Sequence, residues 1–344
     1  MEHIAIDLGG KESQICIRDG SGTIVVEQRC PTAELEDFLQ SRPPGRVIVE
    51  TCAEAFRVAD LARAAGHEPR VVPATLVRAL GVGARRTKTD RQDARVLSEV
   101  SCRVALPSVH VPTLRAREHK SVCTLRESLV RARTQLANCV HGWLRMRGLR
   151  LPAGNVGNLV ARVRGQVSDR PPHVERLLEL LDELQERIRD ANTEVRRLAK
   201  RDSVCRRLMT APGVGSNTAL RYVAALDDVR RFPDAHHVAS YLGLVPGERS
   251  SGPTQRRLGI TKAGAPAVRH CLVQAAWAAK RTRVHGPLQE WGARIAHRHG
   301  KQVAAVAVAR KLSGILYALW RDGTTYDASR AARARSPVRI PMQP

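Results

Sequence analysis

The sequence predicts an α/β domain followed by two largely helical segments, and three observations support that prediction. Short apolar runs separated by glycines open the chain, and helix-type and strand-type patterns then alternate to about residue 100. After residue 120, apolar residues recur at steps of three and four instead. The chain has 344 residues, which is enough for two units that each bury their own core.

Three short strands are predicted at the N-terminus, in the segments HIAID, SQICIRD and TIVVEQRC. Glycine pairs between them suit the tight turns of an antiparallel meander. Helix and strand then alternate through PTAELEDFLQ, RVIVE, AFRVADLARAAG, PRVVPA and DRQDARVLSEV. Three antiparallel strands followed by this alternation is the order of a ribonuclease-H-like domain, which we expect over residues 1–115.

Residues 116–202 are predicted to form an antiparallel helical hairpin with coiled-coil-like packing. One apolar stripe comprises Val122, Leu125, Leu129, Ala132, Leu136, Cys139 and Trp143, and the other comprises Leu177, Leu181, Leu184, Ile188, Ala191, Val195 and Leu198. A stretch that contains Gly and Pro separates them, from residue 148 to 172. The hairpin is either a solvated spacer or an arm that positions a nucleic acid or a second protomer.

A second, mainly helical domain is expected over residues 203–326, with a strongly apolar helix from Val303 to Trp320 at its core. Its segment LMTAPGVGSNTAL is typical of a helix-hairpin-helix element, in which the backbone at Gly213 and Gly215 approaches a phosphate. A plain turn between helices is the alternative. Residues 327–344 are basic and lack periodicity, so we predict no packed structure for that tail.

The charge of the chain indicates a polyanionic partner. Lys and Arg total 57 against 33 Asp and Glu, which gives a formal charge of +24. Neither a signal-peptide pattern nor an unbroken apolar run of membrane-spanning length is evident, so we expect a cytoplasmic protein without a membrane partner. Aromatic residues make up only 3% of the chain, so contacts to phosphate should outweigh base stacking.

Four acidic residues fall where a metal-dependent nuclease needs carboxylates. Asp7 ends HIAID, Glu50 ends RVIVE, and Asp90 and Asp93 lie three apart in KTDRQDA, on one predicted helix face. Such carboxylates can converge on Mg²⁺ or Mn²⁺, hard cations that prefer oxygen ligands and assist phosphoryl transfer. Each residue alone could instead be a turn residue, an exposed strand end or a helix cap. Together, in this order of elements, they favour catalysis.

A second set of candidates lies in the segment from residue 241 to 272. Ser250 and Ser251 precede a glycine, and four cations follow at close spacing: Arg256, Arg257, Lys262 and Arg269. A serine hydroxyl in a loop crowded by cations can attack phosphorus, because the cations offset the charge that develops on the phosphoryl oxygens. From chemistry alone an ordinary loop is the stronger interpretation.

These blocks together resemble the DEDD transposases of bacterial insertion sequences. Those are bridge-RNA-guided recombinases with a RuvC-like, ribonuclease-H-like domain and a serine-bearing transposase domain. The resemblance covers nearly the whole chain, in AIDLG, VIVET, KTDRQDA, APGVG, RRFPDAHHVASYLGLVP, SSG, GITKAG, VRHCL and ARKLSGILYALWRDGTTY. One departure is that VIVETCAEA lacks the small residues often found after the family's glutamate, which bears on the packing behind Glu50.

The resemblance implies a role for each matched residue. Asp7, Glu50, Asp90 and Asp93 match the metal-binding quartet, and Ser251 matches the nucleophile, although Ser250 beside it leaves the attacking hydroxyl open. The family implies a phosphoserine link to a cut strand and a freed 3′ hydroxyl. It further implies a structured non-coding guide RNA that pairs with donor and target DNA. A homo-oligomer, dimer or tetramer, is also implied, in which different protomers supply the two halves of an active site.

Three other functions compete with this one. A structure-specific, junction-resolvase-like nuclease would use the quartet with water as nucleophile. A sugar kinase or ATPase of the actin-like fold also opens with DLGG and a hairpin, but it needs a second phosphate-binding half, and we find no such pattern after residue 200. A catalytically silent nucleic-acid-binding protein would need only the charge.

Overall fold

The computed structural model describes residues 1–79, 90–251, 254–282 and 286–329, without the side chains of residues 78, 79, 90, 249–251 and 254–257. The chain divides into two compact units, Met1–Pro112 and Thr113–Pro344. The predicted tail beyond residue 329 lies outside the described residues.

The first unit is a mixed α/β fold, as the sequence predicts. Its elements are β1 (His3–Asp7), β2 (Glu12–Arg18), β3 (Ile24–Pro31), α1 (Leu35–Gln40), β4 (Arg46–Glu50), α2 (Ala55–Ala64), β5 (Glu68–Val72), α3 (Ala74–Ala79) and α4 (Asp90–Arg103). Helix α3 was not predicted; the expected strand PRVVPA ends at Val72, before Pro73, which cannot donate a ladder hydrogen bond.

The five strands form one sheet in the order β3-β2-β1-β4-β5. Strands β1, β2 and β3 pair antiparallel, and β4 and β5 join them in parallel. The meander is as predicted, two parallel strands follow it, and the sheet is consistent with a ribonuclease-H-like domain. The central strands β1 and β4 are buried on both faces, which explains their continuous apolar runs.

Helices cover both faces of the sheet. On one face, Ile4, Ile6 and Val49 pack with Leu39 of α1 and Val58 of α2. On the other face, Ala5 of β1 and Ile48 of β4 pack with Leu97 of α4. Side chains on a strand alternate between faces, so each central strand contributes to both layers of the core.

The second unit contains mainly helices. They are α5 (Leu114–Met146), α6 (Leu159–Gln166), α7 (Pro172–Arg201), α8 (Ser203–Leu208), α9 (Ser216–Leu226), α10 (Ala235–Tyr241), α11 (Pro266–Lys280), α12 (Pro287–His299) and α13 (Lys301–Arg321), with a hairpin of β6 (Pro246–Ser251) and β7 (Thr254–Ile260) between α10 and α11. The hairpin was expected as a loop. Its strands lack alternation of apolar residues, so nothing in the sequence marked them.

The long helices α5 and α7 pack against each other, but the buried side of α5 differs from the predicted stripe. Leu125 is 61% exposed and Cys139 is exposed, whereas Cys123 and Val140 are buried. The first part of α5 packs on α9, and its last part packs on α6, so partners other than α7 set its rotation. Helix α6 lies in the stretch that was expected only to connect the two helices.

Helix α13 is the central helix of the second unit. By length and composition it is the one helix of the described residues that could cross a membrane, yet half of its most apolar stretch is buried inside the unit. The hydroxyl of Tyr222 donates to the carbonyl of Ser313 at 2.7 Å, and that of Tyr317 donates to the carbonyl of Phe232 at 2.9 Å. Buried hydrogen bonds of this kind are typical of a core helix.

Candidate active site

Asp7 and Glu50 lie at the same edge of the sheet. They end the neighbouring parallel strands β1 and β4, one residue beyond the last paired positions, Ile6 and Val49. Because side chains alternate along a strand, Asp7 shares a face with Ala5, and Glu50 shares that face with Ile48. This is the face that α4 covers, since Ala5 and Ile48 pack with Leu97.

Helix α4 runs antiparallel to β1. Near its C-terminal end, Ser101 Oγ lies 2.8 Å from Nδ1 of His3, which is at the start of β1. From His3, strand β1 runs four residues, about 13 Å, to Asp7. From Ser101, helix α4 runs back eight residues, about 12 Å, to Asp93. The two lengths are nearly equal. Asp93 precedes Leu97 by about one turn, so it lies on the sheet-facing side of α4 at the level of Asp7.

The three carboxylates differ in exposure. Asp93 is only 4% exposed, because it lies on the side of α4 that faces the sheet. Asp7 and Glu50 are half-buried and reach the surface of the unit. Gln14 lies directly across the strand pair from Asp7 and is 8% exposed. Its amide donates to the carbonyl of Gln28 at 3.1 Å, so it forms a polar wall beside Asp7 that sequence reasoning missed.

A clamp between β3 and α4 holds the first turns of that helix. Glu27 of β3 accepts from Arg95 at 2.8 Å and forms a second ion pair with Arg91. Arg95 and Arg91 lower the pKa of the Glu27 carboxyl to about 2, because their guanidinium groups donate hydrogen bonds to its charged form. Arg91 and Arg95 flank Asp93 in sequence, so this clamp sets the position of the acidic helix. The i,i+4 spacing of the two arginines was the available signal.

A divalent metal would need oxygen ligands, and the sheet edge supplies them. Among the side chains that the structure describes, however, no three or more His, Cys, Asp or Glu residues are arranged to hold a metal ion. Asp90, the fourth member of the predicted quartet, begins α4, but its side chain lies outside the described residues. Asp7 and Glu50 therefore supply oxygen donors, of the kind that a divalent cation binds, at one end of the sheet.

The predicted nucleophile lies at the tip of the β6–β7 hairpin. In the strand register, Ser251 is opposite Thr254, and Ser250 is opposite Gln255. Arg256 is opposite Arg249, and Arg257 is opposite Glu248. The side chains of Ser250, Ser251, Arg256 and Arg257 lie outside the described residues, so the backbone supports only their position at the tip of the hairpin.

Lys262 lies in a tightly built loop after the hairpin. Its backbone has a φ of 56°, in the left-handed region that non-glycine residues seldom adopt, and its amide donates to the carbonyl of Gly243 at 3.1 Å. A Cβ on Gly243 would lie 2.0 Å from the carbonyl oxygen of Ala263, so only glycine permits this approach. Arg269, also predicted to bind nucleic acid, donates to the carbonyls of Leu242 and Ala263 and braces the loop.

The two glycines of the predicted helix-hairpin-helix element have different surroundings. Gly213 has a φ of 75°, and a Cβ there would lie 2.1 Å from the carbonyl oxygen of Ala275 in α11. Its lack of a side chain therefore serves packing against α11. Gly215, the N-cap of α9, has open space around it, so a phosphate can approach its backbone.

Comparison with known proteins identifies the family. The profile of a transposase family, DEDD_Tnp_IS110, matches residues 4–146, and that of the transposase IS116/IS110/IS902 family matches residues 205–289. The two matched ranges contain the acidic set and the serine-bearing hairpin.

Three relatives are similar over nearly the whole chain. A probable family 20 transposase of Pseudomonas aeruginosa is 30% identical over 95% of this chain and 98% of its own length. The transposase for insertion sequence element IS1328 of Yersinia enterocolitica is 29% identical, with coverage of 94% and 98%. The transposase for element IS1111A of Coxiella burnetii is 27% identical, with coverage of 94% and 90%. The chain is therefore an insertion-sequence transposase of the IS116/IS110/IS902 family, an enzyme that cleaves and rejoins DNA.

Proposed function

We propose that this transposase is an RNA-guided DNA recombinase that moves its own insertion sequence. It cuts a DNA strand through a covalent phosphoserine intermediate at Ser251 and uses a divalent-metal site formed by Asp7, Glu50, Asp90 and Asp93. The observation that carries the proposal is the direction of α4, which brings the buried Asp93 to the level of Asp7 and Glu50 at one end of the sheet.

The acidic residues are the metal-binding half of this proposal. Asp7 and Glu50 come from rigid adjacent strands, and Asp93 comes from a helix that the Glu27 clamp and the His3–Ser101 hydrogen bond hold in place. Carboxylates that lie close together repel each other unless cations lie between them. When bound, Mg²⁺ or Mn²⁺ would polarise the scissile phosphate and lower the pKa of a bound hydroxyl. The residues that would hold it are these three and Asp90.

Ser251 supplies the nucleophile in the covalent step. Its Oγ attacks the scissile phosphorus, so that an Oγ–P bond forms and the bond from phosphorus to the 3′ oxygen breaks. The serine hydroxyl loses its proton, and the departing 3′ oxygen gains one, so charge and atoms balance. Attack on the phosphoserine by a 3′ hydroxyl of another strand then restores the serine and rejoins DNA.

Cations around the hairpin stabilise the charge that develops on the phosphoryl oxygens. The strand register puts Arg249 two residues from Ser251 and opposite Arg256. Arg257 follows on the same strand. Positive groups that are already in position where negative charge develops need no reorganisation during the reaction.

Sequence choice in this proposal belongs to a structured non-coding RNA that pairs with donor and target DNA, while the protein holds the backbones. The formal charge of +24 suits that division of roles, since contacts to phosphate are independent of sequence. The α8–α9 turn acts as a helix-hairpin-helix grip through the backbone at Gly215, and the α5–α7 pair acts as a coiled-coil arm.

The proposed organisation has three working parts and a tail. Residues 1–115 form the RuvC-like nuclease domain, residues 116–202 the arm, residues 203–326 the serine-bearing domain, and residues 327–344 a basic tail. The enzyme works as a homo-oligomer, dimer or tetramer, whose active sites combine acidic and serine halves from different protomers, and it acts in the cytoplasm.

The decisive experiment asks whether the protein becomes covalently attached to DNA. The full chain is incubated with end-labelled DNA from the ends of its element, Mg²⁺ and RNA transcribed from the flanking non-coding sequence, and the reaction is analysed on a denaturing gel. We expect a protein–DNA adduct that is lost in Ser251→Ala and retained in the matched neighbour Ser250→Ala.

Other outcomes would redirect the proposal. Loss of the adduct in Ser250→Ala alone would move the nucleophile by one residue. Strand cleavage without any adduct would favour the junction-resolvase-like nuclease, because water then attacks in place of serine. Cleavage at the same sites without the added RNA would refute guidance by RNA.

A further inference from the structure

The second unit contains a large groove that the proposed chemistry does not use. It has a volume of about 920 Å³ and is open to solvent. One side of α13 forms its floor, through Val303, Val306 and Arg310. Its walls are the bases of β6 and β7, one side of α10, and the side of α12 that carries Trp291. Ligand pockets in proteins commonly have volumes of about 300–1,000 Å³, so the groove can hold a molecule of one or two nucleotides.

The floor of the groove is an exposed apolar surface on the central helix of the unit. Val303 on this floor is 54% exposed, and Leu258 in the β7 wall beside it is 49% exposed. The lining positions on α13 recur with the period of a helix, from residue 303 through 306 and 310 to 314, so they form one continuous face. An apolar face of this kind on a soluble unit indicates a binding surface.

The rim of the groove is positively charged. Lys262, Arg310 and Lys311 line it together with His236, and no aspartate or glutamate does so. In the described ranges, neither Lys262 nor Arg310 forms an ion pair. Lys262 is also the residue held in a left-handed backbone conformation, and local strain of that kind concentrates at functional sites. The charge complements an anion, and the apolar floor complements the flat face of a base.

An aromatic ring stands at the boundary between these two surfaces. Trp291 is partly exposed, and the ammonium group of Lys311 lies 4.7 Å from the centre of its ring. Proteins bind single strands with this combination, in which an aromatic ring stacks on a base and adjacent cations hold the phosphates on either side. A neutral peptide segment would match the apolar floor but not the cations of the rim.

We propose that this groove, which we call the α13 groove, binds an unpaired nucleotide of the cut DNA strand. The base stacks beside Trp291 over Val303 and Val306, and Lys262, Arg310 and Lys311 hold the flanking phosphates. The inference rests on the proposed role of Ser251, because the same hairpin carries Ser251 at its tip and Pro246 and Leu258 in the groove wall. Five residues of strand span about 17 Å, which is about five stacked nucleotides.

The groove gives the enzyme a way to retain a cut strand. After cleavage, a nucleotide held at that distance from the phosphoserine keeps the strand unpaired and aligned with the hairpin. A recombinase needs such a grip, because a strand that pairs again with its original complement is lost for exchange.

Photo-crosslinking of the full-length protein tests the proposal without any knowledge of the target site or guide RNA. The probe is a 15-nucleotide oligo(dT) strand with one 5-iododeoxyuridine. We expect a crosslinked peptide from α12 or α13, centred on Trp291, that is lost in Trp291→Leu. The matched control is Trp277→Leu, because Lys280 also lies over the Trp277 ring, at 5.8 Å, but that ring borders a cavity of only about 150 Å³. The control variant should crosslink like the parent protein.

Binding measurements provide a second readout that does not depend on replacing a tryptophan. Lys262→Gln and Arg310→Gln alter exposed or half-exposed charges and should each weaken binding of the oligo(dT) strand about fivefold or more, with a shallower dependence on salt. A strand of abasic sites with the same phosphates should bind at least about fivefold more weakly than oligo(dT), because stacking is lost.

Three results would overturn the proposal. One is equal binding of the abasic strand, which would make the groove a phosphate contact only. Another is a crosslink that maps outside α12, α13 and the hairpin. The third is a changed sedimentation coefficient of the groove variants with unchanged affinity for oligo(dT), which would make the groove an interface between protein chains. Crosslinking in Ser251→Ala should equal that of the parent, so failure of the serine chemistry and failure of the groove are separable.

Discussion

His3 Nδ1 and Ser101 Oγ lie 2.8 Å apart, although 98 positions separate them in the sequence. Both residues are buried, with His3 at 8% and Ser101 at 3% exposure. This bond ties the start of the central strand to the end of α4, and it thereby determines which residue of α4 reaches the other end of the strand. That residue is Asp93.

Replacing Ser101 with alanine should lower the free energy of unfolding by about 1–2 kcal/mol, because a buried imidazole nitrogen then loses its partner. The measurement is the urea midpoint of the full-length protein. Ser41→Ala is the matched control, since Ser41 is exposed and its hydroxyl donates to the nearby carbonyl of Phe38; the loss in this variant should stay below about 0.5 kcal/mol. Equal losses in both variants would show that the buried bond contributes nothing special.

Glu27→Gln should remove a pH-dependent part of the stability. Arg95 and Arg91 lower the pKa of Glu27 to about 2 in the folded state, below the ordinary 4.5, so the unfolded chain binds the proton more readily. The contribution is present above about pH 4.5 and is lost as the pH falls towards 2. Unfolding free energies measured across this range should therefore differ most between parent and variant at the upper end. Glu36→Gln, an exposed glutamate on α1, should give a parallel curve.

Asp93→Asn should abolish strand cleavage while leaving the protein folded, because asparagine has nearly the same shape but lacks the charge that a divalent cation requires. We expect a loss of at least about a hundredfold, more than removal of an outer partner of a metal ligand costs. Rates at several Mg²⁺ concentrations provide the measurement. Asp37→Asn, on the exposed side of α1, is the control and should cleave normally. Full activity of Asp93→Asn would remove Asp93 from the metal site.

Gly213→Ala and Gly215→Ala should separate packing from nucleic-acid binding. Alanine at residue 213 combines a φ of 75° with a Cβ 2.1 Å from a carbonyl oxygen of α11, so we expect a loss of at least about 2 kcal/mol in stability. Alanine at residue 215 meets open space, so stability should change little while DNA affinity falls. Thermal unfolding and filter binding measure the two effects. Unchanged DNA affinity in Gly215→Ala would remove this turn from the DNA grip.

Most of the first unit could be predicted from the sequence because its signals are local. Apolar runs ended by glycines mark β1 and β2, and helical spacing marks α2 and α4 within a few residues of their observed ends. The positions of Asp7 and Glu50 follow from strand ends alone. Each of these predictions depends on residues that are neighbours in the chain.

Other features depend on partners that are distant in the sequence. The rotation of α5 follows from its contacts with α9 and α6, which the spacing of its own apolar residues does not contain. The β6–β7 hairpin pairs polar strands, so hydrogen bonding between backbones forms it rather than an apolar pattern.

Periodicity, composition and motif order were thus sufficient to predict the mixed α/β fold of the first unit and a nucleic-acid substrate, while the roles of the acidic residues stay a prediction. They could not predict that α4 lies antiparallel to β1, that Glu27 clamps it, or that one face of α13 stays open beside Trp291. Those features arise when segments far apart in the chain pack together. Their energies come from hydrogen bonds, ion pairs and buried surfaces between segments, and no single segment contains both partners.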